Sequence, residues 1–256
     1  DCPVLKDLAE ELTHLVFPPI CLSCHISLRI PPLHTSEIDW KIFQSIGLCP
    51  QCFKRISVNK PSFCIKCSRH LEKYLYQSKC RTCTQHHHHF DFAWSACLYT
   101  KSIAHLIYQF KYGQTTALRR LFILLIKNFI KKHNFDINQF NFILPMPLHP
   151  VKKRERGYNQ SQLIGLEISR EYHIPMISNN LIKTRHTRSQ AQCRAKERWT
   201  NVEQAFRIKR PNEIKNHSIL IIDDLLTTGA TASQAALSLK KSKANQVGVL
   251  TLAITP

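Results

Sequence analysis

Ser218 to Leu239 reads SILIIDDLLTTGATASQAALSL, and this stretch decides the fold. Its apolar run, Ile219-Leu220-Ile221-Ile222, suits a strand covered on both faces. Two carboxylates follow, Asp223 and Asp224, and then a turn of small residues, Thr227-Thr228-Gly229-Ala230-Thr231. Ala232, Ala235, Ala236 and Leu239 then share one face of a helix. A turn opening a helix offers N–H groups, hydroxyls and the positive end of the helix dipole to an anion. Gly229 permits a positive φ and close approach of a ligand to the backbone. Two carboxylates would repel a phosphate beside them. They are therefore expected to face the vicinal hydroxyls of a sugar while the turn faces its phosphate. The alternative is an ordinary strand-to-helix turn with a solvated Asp pair. The nucleotide phosphate loop GxxxxGK[ST] occurs nowhere in the chain.

On either side of this stretch, strand patterns alternate with helical ones. Residues 246–254, QVGVLTLAI, form a last apolar strand. Upstream, strands are expected at Phe90–Thr100 and Asn138–Leu148, with helices at Ser102–Tyr112, Ala117–Lys132 and Ser161–Tyr172. Strands joined by helical crossovers predict a parallel α/β sheet. Between the 138–148 strand and the next helix lies HPVKKRERGYNQSQ, read as a basic loop carrying Lys152, Lys153, Arg154 and Arg156. Such a loop suits a pyrophosphate, and a solvated charge run is its alternative. Residues 183–206 are long, polar and basic, with Lys183, Arg185, Arg188, Arg194, Lys196 and Arg198. A long polar segment in a compact domain is functional or disordered.

The first third is different. It holds four CxxC pairs: Cys21/Cys24, Cys49/Cys52, Cys64/Cys67 and Cys80/Cys83. Two such pairs make a closed Cys₄ zinc site of structural type. Sequence order puts one zinc on Cys21, Cys24, Cys49 and Cys52 and a second on Cys64, Cys67, Cys80 and Cys83, with an interleaved pairing left open. Residues 4–17 carry apolar positions at helical spacing. The run His86 to His89 reads as a solvated linker. Cys97 fits a core strand, whereas Cys2 and Cys193 have no assigned role. The domains expected are 1–89, zinc-binding, and 90–256, ligand-binding.

The 256 residues carry 36 Lys and Arg against 17 Asp and Glu, a formal charge of +19. That excess points to a polyanionic partner, most plainly nucleic acid. No apolar run reaches the ~18 residues of a membrane span. No export signal opens the chain, so a cytoplasmic location is expected, where cysteines serve as metal ligands before disulfides.

The motifs taken together resemble the ComF family, competence-associated proteins like phosphoribosyltransferases. The strand with DDLLTTGAT is similar to the phosphoribosyl pyrophosphate (PRPP) motif of type I phosphoribosyltransferases. The remaining marks stand at Phe110–Gly113, Pro145–Pro150, Arg154–Gln160, Thr187–Gln190 and Arg198–Phe206. Departures are small: Tyr158 for Phe, Leu225 for Val, and Gly113 one residue early. The resemblance implies a type I phosphoribosyltransferase-like domain behind a small double zinc-ribbon region. It implies PRPP on Asp223, Asp224, Thr227, Thr228, Gly229, Ala230, Thr231, His149 and Arg156, with Mg²⁺. It also implies a basic lid carrying Arg188, and natural transformation as the setting. Single-stranded DNA is expected on Lys152, Lys153 and Arg154, with Tyr158 and Trp199 as stacking groups and other DNA-uptake proteins as further partners. Two readings stand: a phosphoribosyltransferase with Asp223, Asp224 and Arg188 in catalysis, or a non-catalytic binding or regulatory protein on the same fold.

Overall fold

A computed structural model describes residues 19–30, 37–71, 79–185 and 197–256. The helix expected at 4–17, Arg188, Cys2 and Cys193 lie outside the described residues. The centre is a four-stranded, all-parallel sheet. Its strands are β1 (Phe92–Leu98), β2 (Phe142–Pro145), β5 (Ser218–Leu226) and β6 (Gln246–Ile254), in the order β1-β6-β5-β2. Two short strands, β3 (Leu181–Lys183) and β4 (Phe206–Ile208), pair antiparallel beside it. The parallel α/β sheet and the cysteine-rich region ahead of it bear out the fold class expected.

β5 and β6 are the inner strands, so both faces of each are covered. Leu220 and Ile222 of β5 join one core, and Ile219 and Ile221 join the other. One core is closed by three helices: α4 (Lys101–Tyr112), α5 (Arg119–Lys132) and α7 (Gln160–Tyr172). The apolar face of α5 is Leu121, Phe122, Leu125, Ile126, Phe129 and Ile130, all buried. The second core is closed by α9 (Ala230–Lys241), whose alanine face lets helix and sheet approach closely. Gly248 is required on β6, because a Cβ there would stand 2.5 Å from Cζ of Phe140.

Both sheet edges are covered, which removes the hazard of unpaired strand edges. Along β1, Asn59 N donates to Ala96 O and Leu98 N to Ser57 O, each at 2.8 Å. Along β2, Ile143 N donates to Pro175 O and Ile177 N to Ile143 O, both at 2.9 Å. The cysteine-rich region holds α1 (Glu37–Ile46), α2 (Pro50–Lys54) and α3 (Arg81–Gln85). Its cysteines pack into the same two cores, Cys21, Cys49 and Cys52 into one and Cys64, Cys67, Cys80 and Cys83 into the other, with Cys24 exposed.

Four expectations are corrected. The strand expected at 138–148 shrinks to Phe142–Pro145, because Ile137–Gln139 turn as a 3₁₀ helix capped by Asp136. β5 runs through the acidic pair to Leu226, held in register by β6 up to Leu226↔Ile254. The basic 149–156 stretch is a helix, α6 (Pro150–Arg156), and not a loop. Pro150 starts it, His149 Nδ1 caps Val151 N at 3.4 Å, and Gly157 at φ 82° ends it. The described ends of the 183–206 segment are not loop throughout: β3 closes at Lys183, and α8 (Glu197–Asn201) leads into β4.

Candidate functional site

Two groups of four thiols form in sequence order: Cys21, Cys24, Cys49 and Cys52, and Cys64, Cys67, Cys80 and Cys83. Within each group the sulfurs lie within 4.8 Å of one another. Cys24 and Cys49 Sγ are 3.8 Å apart, and Cys67 and Cys80 Sγ are 3.5 Å apart. Zinc–sulfur bonds of about 2.3 Å in a tetrahedron put sulfurs about 3.8 Å apart, so each group has the spacing of a metal site. Thiols this close cannot all ionise unaided. Hydrogen bonds from Cys67, Cys80 and Cys83 hold Cys64 far down, while those with Cys64, Cys67 and Cys80 push Cys83 far up.

The acidic pair sits at the carboxyl end of β5, where open α/β sheets bind ligands. A cleft of about 370 Å³ opens there, lined by both Asp residues, Thr227, Thr231, Lys111, His149, Lys152, Arg156 and Lys183. Of the residues expected to meet the phosphoribosyl ligand, these include Asp223, Asp224, Thr227, Thr231, His149 and Arg156. Gly229 takes φ 80° as N-cap of α9, and Thr228 Oγ1 accepts from Ala230 N at 3.4 Å.

The two carboxylates differ in their surroundings. Asp224 is buried and paired with Lys111, Nζ to Oδ2 at 2.6 Å. Burial alone would lower the Lys111 pKa, but Asp224 outweighs it and the net shift is upward. Asp223 Oδ1 accepts from Ser161 Oγ at 3.0 Å and from Asp224 N at 2.9 Å. Burial, and then the Asp224 charge, push the Asp223 pKa up to about 7, against the pull of Lys111 and Ser161. The pair thus presents one locked carboxylate and one that ionises near neutrality.

The basic helix α6 divides its cations. Lys152 and Arg156, one turn apart, face this cleft, while Lys153 and Arg154 face another groove. Arg156 Nη1 donates to Gln160 Oε1 at 2.5 Å, and its guanidinium stands 5.0 Å over the Tyr112 ring. Lys183 is shifted down to about 8 by burial first and then by Lys152.

The turn is buttressed from the cysteine-rich region. Arg69 donates to Thr227 O at 2.5 Å and to Pro256 O at 2.6 Å. His88 is buried, stacks on Phe90 at 4.7 Å, and leaves 2.8 Å for a Cβ at Gly229. His89 N donates to Ser233 Oγ at 3.0 Å. His88 is therefore packed against the turn, where Gly229 leaves room for its ring, while His86 and His87 stay exposed as the solvated-linker reading expected. His86 stacks on Trp199 at 4.5 Å. The Tyr158 hydroxyl donates to Phe110 O. These two aromatics are engaged internally, and the exposed rings at the cleft are Tyr108 and Tyr112, 5.1 Å apart.

Sequence reasoning missed Lys111 as the Asp224 partner, Ser161, Arg69 and His88. Lys111 lay within a motif already noted, Phe110–Gly113. Arg69 and His88 had no local signal, since their partners are 158 residues away in Thr227 and 141 away in Gly229 (229 − 88).

No model of a known protein family matches the chain. Competence protein F of Haemophilus influenzae is 28% identical over 212 residues, 81% of this chain and 90% of that protein. DNA utilization protein YhgH of Escherichia coli K12 is 26% identical over 245 residues, 94% and 99% of the two chains. Competence protein ComFC of Bacillus subtilis is 32% identical over 111 residues, 43% of each. Among solved structures, a purine phosphoribosyltransferase from Pyrococcus horikoshii aligns at TM-score 0.32 and 15% identity, over 52% of this chain and 70% of that one. An adenine phosphoribosyltransferase aligns at 0.35 and 14%, over 56% and 82%. Among the described residues no helix is long and apolar enough to cross a membrane.

Proposed function

Proceeding from a chain that belongs to the ComF family, we propose that its cleft binds PRPP or a related phosphoribosyl ligand and that its basic surface holds single-stranded DNA during DNA uptake. The observation that carries this is the pairing of two unlike carboxylates with a glycine-capped turn at one end of a parallel sheet. The turn Thr227–Thr231 receives the 5′-phosphate, on backbone N–H groups and hydroxyls at the start of α9. Asp223, with a part-exposed carboxylate steadied by Ser161, accepts the ribose hydroxyls. Asp224 keeps Lys111 in the cleft, where an ammonium offsets pyrophosphate charge. His149, Lys152 and Arg156 line the pyrophosphate side.

Mg²⁺ fits this donor set, because the ion is usually held by one or two carboxylates plus substrate phosphates. Asp223 and Asp224 would hold it, and it would neutralise charge on the leaving pyrophosphate. Zinc fits each Cys₄ group as a closed structural site with no open position. The reading treats 1–89 as the zinc-stabilised part and 90–256 as the ligand-binding part, in the cytoplasm and in contact with DNA-uptake proteins. Lys152, Lys153 and Arg154 attract DNA through phosphates, and Tyr108 and Tyr112 offer ring faces on which bases stack.

Release of labelled pyrophosphate from PRPP, with and without candidate acceptors, separates turnover from binding alone. Acceptor-dependent release assigns an enzyme. Calorimetric PRPP binding without release assigns a binding protein, and the absence of both overturns the proposal.

A further inference from the structure

A second groove lies on the far side of α6 from the carboxylates. It has a volume of about 530 Å³, within the range of small-molecule sites. Lys153 and Arg154 of α6, Lys183 of β3 and Lys209 beyond β4 line it. Among the described residues no carboxylate lines it, and Lys153, Arg154 and Lys209 form no ion pair. The first cleft, by contrast, has two acids. An anion in the second groove therefore needs no bridging divalent ion.

The groove is also built to hold its shape. Asn180 is fully buried, accepts from Arg210 N at 2.8 Å, donates to Arg210 O at 3.0 Å, and its own carbonyl accepts from Lys209 N at 2.9 Å. This knot fixes Lys209 against the strand that carries Lys183. The two openings share one wall, Pro147, Leu148 and Lys183. A ligand anchored in the groove by phosphate thus has a short, apolar path over Pro147 and Leu148 into the first cleft. A free nucleobase would make no use of four cations.

We propose that this groove is a nucleotide site: it grips the phosphate of a nucleoside phosphate, alone or as the end of a single DNA strand, and turns the base toward the phosphoribosyl cleft. The proposal rests on the phosphoribosyl reading of that cleft only for what the base meets there. It assigns the cations of α6 two duties, Lys152 and Arg156 to the first cleft and Lys153 and Arg154 to the second.

The test titrates zinc-replete, full-length protein with thymidine, thymidine monophosphate and a short oligothymidylate, each with and without PRPP and Mg²⁺. The monophosphate is expected to bind at least tenfold more tightly than thymidine, since its charge meets the groove's cations through charge-assisted hydrogen bonds, which are stronger than neutral ones. The Lys153→Ala/Lys209→Ala variant, whose side chains are exposed, is expected to lose about tenfold or more for monophosphate and oligomer and to bind PRPP as before. Comparison of monomer with oligomer tells a single nucleotide from a strand end, and either supports the site. Equal binding of thymidine and its monophosphate, an unaffected variant, or an equal loss of PRPP and nucleotide binding would overturn it. A wild-type protein that binds the monophosphate but not PRPP would overturn the reading of the first cleft and leave the groove standing.

Discussion

The Lys111–Asp224 pair is the sharpest place to perturb the site. Its atoms are 2.6 Å apart, and the side chains are only 19% and 4% exposed. With an effective dielectric constant of about 20, the attraction at that distance is on the order of 6 kcal/mol before desolvation is subtracted. Most of that offsets the cost of burying two ions. Removing one partner leaves the cost without the offset, typically about 3–5 kcal/mol. Lys111→Met should therefore destabilise the protein by roughly that amount. Asp224→Asn should also destabilise it, and the double variant should be less destabilised than the two effects summed, by at least ~1 kcal/mol. Urea unfolding of zinc-replete protein, followed by tryptophan fluorescence, measures this as a shift in midpoint at constant slope. Additive effects, with coupling under about 0.5 kcal/mol, would refute the reasoning.

Gly229→Ala should cost about 1–2 kcal/mol for its left-handed backbone and about 1–3 kcal/mol more for crowding the His88 ring 2.8 Å away; calorimetry should show weaker PRPP binding, and His88→Ala should relieve only the crowding. Asp223 has a pKa raised to about 7 against about 3.9 unfolded, so its contribution to stability is complete below about pH 4 and is lost as pH rises through 7. Thermal unfolding across that range should show the loss in wild type and a smaller one in Asp223→Asn. Elemental analysis should find two zinc ions per chain, one for each Cys₄ group. Chelation should weaken PRPP binding, because Arg69, between Cys67 and Cys80, holds the Thr227 carbonyl. Replacing Lys152, Lys153 and Arg154 by Ala should reduce the log–log salt slope of single-strand binding by up to about two, at roughly 0.7 for each phosphate neutralised.

What the sequence revealed followed from local patterns. Ile219–Ile222 announced a central strand because four consecutive apolar residues need cover on both faces. The cysteine pairs announced metal sites because CxxC spacing aims two thiols at one point, and the grouping suggested by sequence order, rather than the interleaved one left open, is the one that forms. What stayed hidden was set by tertiary neighbours or by caps. The basic stretch 149–156 looks like a loop by charge, yet Pro150, His149 and Gly157 make it a helix, and helicity alone divides its cations between two clefts. His88 reads as part of a polar run until Gly229 is seen beneath it. The unlike roles of Asp223 and Asp224 depend on Lys111 and Ser161, which sit on separate helices.

The most direct test of the account is calorimetric titration of PRPP in the presence of Mg²⁺, into wild type and into Asp223→Ala/Asp224→Ala. Wild type is expected to bind at a single site. The double variant is expected to bind nothing measurable while keeping its zinc content and its fold. Equal PRPP affinity in the two proteins would contradict the assignment of the cleft.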